Sequence, residues 1–493
     1  VGWSKFAEQP LTDTTFAEAI TIEGDRFCQE GLPWLNFNNN ANNGSLKSSS
    51  SHYSQRTLAC DPVDPHPLGK PLRDHPSNDK PLKDGQTNGD RTPRDHAVDS
   101  IVTLRCNLLR TGEQFISHRL SVSGPTIMAG YPWLGDWSRN TLIALPGLAL
   151  TTKRFGIARQ ILQSFAQHCT QGLMPDALPA REHQPSYNNL DVSLWWIETL
   201  GLYLKATQDW RFLEEQYPTV QKIYKALTVG TLHNIRVDAV DGLLTWNSPD
   251  IALTWMDAAV DGKPVTPRLG KAIEINALWY SSLCWARQWA EQLQIAAMEQ
   301  GNEEKVKTFT RQIQRYEQHI DHVRDSLKIF WNPQRGYFYD TIGPDDSPDA
   351  SIRPNGIIAL SLSHCGFSEN HAKQALNLAH DRLLTPYGLR SLDPANADYK
   401  GHYAGNMTYR DRAYHQGTVW SWLIGPFIRA WKRFHGDLAV PFNAVSLLSH
   451  VEHQVCMGSV SEIFDGDAPH FPQGAVSQAW SVAELIRHWD DLF

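Results

Sequence analysis

Apolar residues recur at helical spacing over most of the chain beyond residue 102. Between residues 272 and 299, apolar and small side chains fall three or four positions apart, so they share one face of a helix. These positions are Ile275, Leu278, Trp279, Ser282, Ala286, Trp289 and Leu293. The same pattern predicts eleven further helices, near residues 102–118, 139–150, 154–169, 190–207, 209–236, 303–330, 353–364, 369–384, 415–434, 440–455 and 477–490.

Long loops rich in Gly, Pro, Asp and aromatic residues separate these helices, notably 171–188, 241–270 and 385–413. Strand signals are few, and the segments 242–246 and 336–339 are each expected to form part of a short hairpin. Twelve helices joined by long loops predict an all-α fold, an (α/α)6 toroid or six-hairpin barrel with a few short strands. An irregular helical bundle is the alternative.

The composition divides the chain into three parts. Residues 1–37 contain short apolar patches and are interpreted as the remnant of a preceding N-terminal region. The chain begins with Val1, which also suggests a fragment or a processed protein. Residues 38–98 are mainly Asn, Ser, Gly, Pro, Asp and Lys. Such a stretch buries too little apolar surface to offset the entropy of ordering, so a disordered linker or insertion is predicted. The helical domain is expected to span residues 99–493.

Charge and cysteine usage exclude several classes of function. The net charge is −8 and no basic cluster occurs, so no nucleic-acid partner is expected. No apolar run reaches the roughly 20 residues that cross a bilayer, so no membrane partner is expected. The seven cysteines are isolated and odd in number, which disfavours a disulfide framework and favours a cytoplasmic location. No zinc-binding or nucleotide-binding spacing is present, so neither a metal nor a cofactor is predicted.

Two acidic and aromatic stretches, 130–148 and 461–487, indicate a carbohydrate site. Aromatic faces stack on the apolar faces of sugar rings, and carboxylates bind hydroxyls and act at the glycosidic oxygen. The chain has 18 tryptophans but six methionines. Tryptophans also fill helical cores, so only part of this set needs a binding role. Because the two stretches are far apart in sequence, a closed domain must bring them together.

Glycoside hydrolysis generally uses one protonated and one ionised carboxyl group. Asp257 follows Trp255 and Met256, with few charges nearby in sequence, and is the candidate general acid. Glu462 lies in a turn-rich acidic loop, where solvent and hydrogen bonds would keep it ionised as the general base. The alternative interpretations are a turn or capping aspartate and a solvated loop acid. Asp465 and Asp467 compete with Glu462 for the second role.

Polar groups beside predicted helix starts are the candidate binding residues. Arg139 can bind two hydroxyls or a catalytic carboxylate, and Ser138 or Asn140 is expected to cap the following helix. Tyr414, His415 and Gln416 are expected to project from a helix start into a cleft, with His415 in a binding role only.

Ten motifs in this order resemble the C-terminal glucosidase domain of glycogen debranching enzymes, the amylo-α-1,6-glucosidase family. They are the segments 129–133, 136–140, 187–195, 253–258, 266–271, 274–280, 353–355, 414–420, 461–467 and 478–484. The resemblance runs from about Leu104 to the C-terminus. It implies an (α/α)6 glycoside hydrolase domain that releases glucose from α-1,6 branch points of glycogen or limit dextrin with inversion.

The same resemblance assigns Asp257 as general acid and Glu462 as general base, and a branched α-glucan as the substrate. The implied substrate-binding residues are Asp136, Trp137, Arg139, Asn140, Asp191, Trp255, Lys271, Glu274, Arg410, Tyr414, His415, Gln416, Trp420, Asp465, Gln478 and Trp480. An (α/α)6 glycosidase acting on trehalose, an α-mannoside or sucrose is one alternative. A glucan-binding protein without catalysis is another.

Two features depart from the family pattern. The family usually has Asp-Trp-Gly-Arg-Asp where this chain has Ser138 and Asn140. An amide in place of the final carboxylate loses a charge-assisted hydrogen bond, so weakened or altered substrate preference is expected. Family members also carry a large β-rich region before the barrel, which again predicts a truncated chain. No part of the sequence resembles a transferase barrel.

Overall fold

The structure is a computed structural model and describes residues 93–179, 184–453 and 458–492. The segment predicted as an N-terminal remnant, and the predicted linker as far as residue 92, lie outside the described residues. The described residues belong almost entirely to one compact unit, Ser100–Phe493. The first described helix begins at Pro93, so the end of the predicted linker is helical. Proline is common at the first position of a helix because its missing N–H has no partner there.

Fourteen α-helices occur in the described part of the chain, numbered α1 to α14 in order. They are Pro93–Phe115, Ser138–Leu145, Phe155–Gln167, Asp191–Thr207, Trp210–Val229, Ile273–Glu299, Glu303–Ser326, Asn355–Ser361, Glu369–Arg382, Met407–Ala413, Ile424–His435, Val445–His453, Ala479–Arg487 and Trp489–Leu492. A π-helical turn, Pro146–Leu150, extends α2. The twelve predicted helices correspond to α1–α9 and α11–α13.

Six of these helices form a closed inner ring. Helix α2 packs on α4, α4 on α6, α6 on α8, α8 on α11, α11 on α13, and α13 back on α2. Helices α1, α3, α5, α7, α9 and α12 alternate with them along the chain. This alternation, with a closed ring of every second helix, is the (α/α)6 toroid that the sequence predicts. The apolar core includes the fully buried side chains of Trp196, Trp279, Trp422, Phe165 and Phe427.

The helices of the inner ring begin differently from their outer neighbours. Outer helices α5, α7 and α9 start at polar caps, where Asp209, Asn302 and Ser368 accept backbone N–H bonds. None of the six inner helices has a side-chain cap at its start. The expectation that Ser138 or Asn140 caps α2 is therefore wrong, since Trp137 occupies the cap position without a side-chain bond.

Short strands, numbered β1 to β18, precede or connect the helices. They are Ile116–Arg119, Gly124–Ile127, Gly130–Tyr131, Arg236–Val237, Leu244–Thr245, Ala259–Val260, Lys263–Pro264, Lys271–Ala272, Trp331–Asn332, Tyr337–Phe338, Thr341–Ile342, Pro348–Asp349, Leu384–Thr385, Gly388–Arg390, Val419–Trp420, Ile463–Phe464, Pro472–Gln473 and Ser477–Gln478. All their pairings are antiparallel. The two hairpins predicted from the sequence are present as β4–β5 and β9–β10.

The structure corrects the predicted helix at 415–434. Helix α11 begins at Ile424, and the residues before it form β15 and a 3₁₀ turn, Ser421–Leu423. Strand β15 lies in the largest sheet, whose order is β13-β14-β15-β16-β17. Pairing with β14 and β16, two segments distant in sequence, overrides the local helical pattern. Tyr414, His415 and Gln416 therefore follow α10 and do not start a helix.

The ring closes where α2 meets α13 with almost no side-chain space between the backbones. A Cβ atom at Gly147 would lie 2.0 Å from the carbonyl oxygen of Ala483. Nearby, β3 pairs with β18, with Gly130 opposite Gln478. Glycine at 147 is thus what allows the first and last inner helices to approach.

We expect Gly147→Ala to destabilise the fold by about 1–3 kcal/mol or more, because the new methyl group meets backbone that cannot move independently. Gly156→Ala is the matched control, since a Cβ there meets no atom within 4 Å. Denaturant unfolding of both variants measures the difference. Equal stability of the two variants would contradict this account of ring closure.

Candidate active site

The predicted site residues gather at one mouth of the ring, where the inner helices begin. Arg139 is the second residue of α2, and Asp191 is the first residue of α4. Trp480 is the second residue of α13, and Glu274 is the second residue of α6. Because the ring is closed, these four helix starts face a common opening.

Arg139 links two carboxylates across this mouth. Its Nε and Nη2 atoms donate to the two oxygens of Asp191 at 2.6 and 3.0 Å, and Nη1 donates to Asp257 Oδ2 at 2.8 Å. The Arg139 side chain is largely buried, and Asp191 is fully buried. A bidentate pair of this kind fixes the plane of the guanidinium. Arg139 therefore orients the carboxyl group of Asp257.

Asp257 combines an accessible side chain with a raised pKa. Its side chain is 46% exposed, yet burial by surrounding protein raises the pKa of the carboxyl group, and the Arg139 charge opposes this rise. Few charges are near Asp257 in sequence, but the fold brings Arg139, 118 positions away, into a bond with this carboxyl group. Arg139 is shared with Asp191, so its single charge cannot balance both carboxylates.

Glu462 is held by two hydrogen bonds just before β16. Its Oε1 accepts from the Tyr414 hydroxyl, and its Oε2 accepts from the backbone N–H of Ala475 at 2.7 Å. Glu462 is buried, so the predicted solvated environment is wrong, although hydrogen bonds are present as expected. Gly474 has a φ of +68° and would place a Cβ 2.4 Å from Glu462 Oε2. Glycine at this position leaves room for the carboxylate.

The carboxyl groups of Asp257 and Glu462 share one electrostatic environment. Burial raises the pKa of Glu462, the bonds from Tyr414 and Ala475 lower it, and the charge of Asp257 raises it further. Burial and the charges of both carboxylates also raise the pKa of Tyr414 well above its ordinary value. The Tyr414 phenol consequently stays protonated and donates to Glu462. Segments from three distant parts of the chain thus meet at one pocket.

A cluster of aromatic rings packs beside the two carboxyl groups. His415 stacks on Trp420 with centroids 5.3 Å apart, and Trp255 meets both rings edge-on. Trp480 stacks on Trp422 at 4.9 Å. All five rings are buried. Trp255, Trp420 and Trp480, which the sequence analysis expected to hold sugar, therefore pack mainly against one another.

His415 is a neutral ring within this cluster. Burial and the nearby charges of Arg353, Arg139 and Arg268 lower its pKa well below the ordinary value. Both ring nitrogens are buried and have no hydrogen-bond partner among the described residues.

Two tryptophans of this region are exposed, Trp133 with 62% and Trp137 with 50% of its surface accessible to solvent. Trp137 directly precedes α2, two positions before Arg139. The faces of both rings are accessible to a sugar ring.

Glu274 lies in a buried ionic network beneath the pocket. Both of its oxygens accept from Arg268, whose Nε donates to Asp340 Oδ2 at 2.7 Å. Lys271 pairs with Asp241 at 2.5 Å and with Asp238 at 2.9 Å. Glu274 and Lys271 were expected to bind substrate, but their charges already have partners within the protein.

Sequence analysis assigned no role to Arg268, Asp340, Arg353 or Asn355. Asn355 Oδ1 accepts from Trp255 Nε1 at 2.7 Å, and its Nδ2 donates to Asp340 at 2.7 Å. Arg353 Nη2 donates to Gln416 Oε1 at 2.8 Å. The motifs 266–271 and 353–355 contain three of these residues, but sequence offers no signal for their partners.

The side chain of Asp136 has hydrogen-bond partners within the protein, whereas that of Asn140 has none among the described residues. Asp136 accepts from Arg119 at 2.5 Å and from Thr126 at 2.9 Å, and burial raises its pKa. Asn140 is half-buried and its side chain makes no hydrogen bond to a described residue. Asn140 therefore retains free bonding capacity for a ligand.

The remaining predicted residues lie around this mouth. Asp465 accepts from the backbone N–H of Tyr403 at 2.9 Å and contacts His402 at 3.2 Å, and Asp467 accepts from Tyr399. Gln478 is buried in β18, with Oε1 unpartnered among the described residues. Arg410 is exposed on α10.

No group of three or more potential ligands for a metal ion occurs in the described part of the chain. No helix described here is long and apolar enough to cross a membrane.

Comparison with known proteins agrees with the geometry. Residues 110–487 match the family described as amylo-alpha-1,6-glucosidase. The chain is 28% identical to the glycogen debranching enzyme of Saccharomyces cerevisiae (strain ATCC 204508 / S288c), over 67% of this chain and 27% of that enzyme. The chain thus spans about a quarter of that relative's length.

Solved structures share the fold at low sequence identity. The GH63 mannosylglycerate hydrolase from Thermus thermophilus in complex with glucose has a TM-score of 0.55 and 13% identity, covering 78% of this chain and 100% of that one. Its complex with Tris gives a TM-score of 0.54 with the same identity and coverage. The family match covers most of the chain, and this chain belongs to the amylo-alpha-1,6-glucosidase family of glycoside hydrolases.

Proposed function

We propose that this chain hydrolyses α-1,6-linked glucose at branch points of glycogen or limit dextrin, with inversion at the anomeric carbon. Asp257 is the general acid and Glu462 is the general base. The observation that carries this proposal is the fixed placement of the two carboxyl groups, with Asp257 bonded by Arg139 and Glu462 bonded by Tyr414 and the Ala475 N–H. The family match and the similarity to a yeast debranching enzyme support the substrate class.

The charges of the site favour a state in which one carboxyl group is protonated. Arg139 bonds Asp257 once and Asp191 twice, and the charge of Asp257 also raises the pKa of Glu462. Ionising all three carboxyl groups would leave uncompensated negative charge in a poorly solvated pocket. Asp257 has the more accessible side chain and one bond to Arg139, so it is the group that carries the proton to the leaving oxygen.

Glu462 is suited to the ionised role. Tyr414 and the Ala475 N–H both donate to it, and such bonds stabilise a carboxylate. Each carboxylate oxygen has a second acceptor site, which a water molecule can use. Inversion requires this water to attack while Asp257 protonates the glycosidic oxygen, and the two carboxyl groups of inverting enzymes are generally about 6.5–9.5 Å apart.

Four further groups surround the same mouth as the two carboxyl groups. They are Arg410, Gln416, Gln478 and the exposed face of Trp137. In this proposal they contact the glucan. The buried residues Trp255, His415, Trp420 and Trp480 shape the pocket wall, and Lys271, Glu274, Asp136 and Asp465 fix the segments behind it.

We also propose that the protein acts in the cytoplasm, the location that its isolated cysteines favour.

Asp257→Asn and Glu462→Gln are each expected to lower kcat by about 10²- to 10⁴-fold, the usual contribution of acid or base catalysis. Substrate binding should persist, because both changes preserve shape. The measurement is glucose release from a singly branched glucan, with NMR detection of the first anomer formed. Asp250→Asn, at an exposed position of the same loop, is the control. Full activity in either variant would exclude the assigned role, and initial release of α-glucose would exclude inversion.

Tyr414→Phe is expected to move the acidic limb of the pH dependence of kcat/KM to higher pH. The hydroxyl of Tyr414 lowers the pKa of Glu462, so its removal raises that pKa. The base must be ionised, and activity therefore appears at a higher pH. Tyr409→Phe, on an exposed ring of α10, should leave the profile unchanged. An unshifted acidic limb in Tyr414→Phe would count against Glu462 as the base.

Asn140→Asp is expected to increase kcat/KM on branched glucans. A charge-assisted bond to a substrate hydroxyl contributes about 1–3 kcal/mol, equivalent to about 5- to 150-fold. The carboxamide of Asn140 has no bond within the described protein, so the new carboxylate would be available to substrate. Steady-state kinetics on two branch lengths tests this, and unchanged kcat/KM on both would remove the idea that Asn140 alters substrate preference.

A further inference from the structure

A second cavity lies at the opposite mouth of the ring, where the inner helices end. Its volume is about 970 Å³, and α4, α6, α8, α11 and α13 all contribute to its wall. Helix α4 begins with Asp191 at the candidate active site and reaches the cavity at Glu198 and Lys205. The lining residues of α4 run from Trp195 to Lys205, about 6 to 21 Å along the helix from Asp191. None of the residues that line the cavity is a candidate active-site residue, so the cavity is separate from the site of Asp257 and Glu462.

The wall of this cavity carries an excess of positive charge. Five cationic side chains line it with two carboxylates, and a third carboxylate, Glu484, lies behind the wall. The five cations are Lys205, Arg429, Lys432, Arg433 and Arg487. Lys432 pairs with Asp491, whereas Arg433 donates to the backbone carbonyl of Leu360 at 2.7 Å. Two positive charges thus remain without a carboxylate.

Two of the arginines lie close together at the cavity wall. Arg429 bonds Glu484 at 2.6 Å, while Arg487 reaches the same carboxylate at 3.6 Å. The side chains of Arg429 and Arg487 are 19% and 20% exposed, so both are poorly hydrated. Burial and the charge of Arg429 lower the pKa of Arg487 to about 10. Glu484 already lies between these guanidinium groups, and one carboxylate balances only one of their two charges.

The rest of the wall suits a neutral, hydroxylated group. Trp285 stacks on Trp289 with centroids 5.5 Å apart, and Gln288 and Gln292 lie beside them on α6. Glu198 is fixed by the indole N–H of Trp285 at 3.0 Å and by the backbone N–H of Ser363 at 2.8 Å. Glu198 also accepts from the Ser281 hydroxyl, so it mainly fixes this part of the wall, and the two amides offer hydrogen-bond partners to sugar hydroxyls.

We propose that this cavity binds a phosphomonoester carried on a hexose. A phosphate group has a charge of about −1.5 to −2 near pH 7, which is close to the net excess of two positive charges that five cations and three carboxylates leave around the cavity. Arg429 and Arg487 bind the phosphate oxygens, and Arg433 and Lys205 supply further charge at the opening. The hexose lies toward Gln288 and Trp285.

Helix stabilisation is the competing explanation for these cations. Lys205, Lys432, Arg433 and Arg487 lie in the last turns of their helices, where positive charge is favourable without any ligand. That explanation accounts for each cation separately. It does not account for their convergence on one large cavity that also contains hydrogen-bonding side chains, and it predicts no dependence of ligand binding on Arg487.

Isothermal titration of the whole chain with glucose 6-phosphate, inorganic phosphate and glucose, at constant ionic strength, tests the proposal. Glucose 6-phosphate should bind more tightly than either of the other two. Arg487→Gln and Arg433→Gln should each weaken its binding at least tenfold, and Lys307→Gln, on an exposed part of α7, should change it less than twofold. Arg433 is exposed, so its variant remains informative if Arg487→Gln folds poorly.

Titration with maltotriose carrying a 6-phosphate distinguishes a phosphorylated glucan chain from a free sugar phosphate as the ligand. Tighter binding than glucose 6-phosphate indicates a phosphorylated glucan chain, and weaker binding indicates a free sugar phosphate. Equal affinity for inorganic phosphate and glucose 6-phosphate would overturn the hexose part of the proposal. A fall in melting temperature of Arg487→Gln with unchanged binding would favour helix stabilisation and overturn the site. The Asp257→Asn variant should bind glucose 6-phosphate normally, which keeps this result independent of the proposed hydrolase activity.

Discussion

Ring closure between α2 and α13 is the constraint on which the rest of the structure depends. Gly147 allows the backbones of the two helices to touch. The strands that precede them, β3 and β18, pair at the mouth of the ring that carries the candidate active site. Most residues of the candidate site lie at the start of an inner helix or in a segment that leads to one. A gap in the ring would separate Arg139 from Glu462, although neither residue contacts Gly147.

The same architecture explains how the site tolerates its acidic character. The inner helices begin at this mouth without side-chain caps, so their first backbone N–H groups are directed toward it. Arg139 adds one full positive charge. Burial raises the pKa of both Asp257 and Glu462, while Arg139 opposes the rise at Asp257 and the donors Tyr414 and Ala475 oppose it at Glu462. Burial is thus the largest influence on both carboxyl groups, and a few placed donors act against it.

The local spacing of apolar residues predicted the helices. The features that it did not predict depend on contacts between segments distant in sequence. The 3.6-residue period of α6 is visible in any window of that segment, whereas β15 exists only because β14 and β16 lie beside it. Asp257 and Glu462 could be selected by residue type and motif. Their surroundings could not, because Arg139 and Tyr414 come from distant segments. The tryptophan motifs likewise gave no sign that the rings of Trp420 and Trp480 pack within an aromatic cluster.

The pairing of Gly130 with Gln478 also bears on how the protein is made. More than three hundred residues must leave the ribosome before the second partner of this pair exists. Until then the inner faces of α2 and α4 lack their final neighbours, and contacts of such long sequence separation form slowly. The growing chain would present apolar surface for much of its synthesis, a period in which chaperones protect partly folded proteins from aggregation.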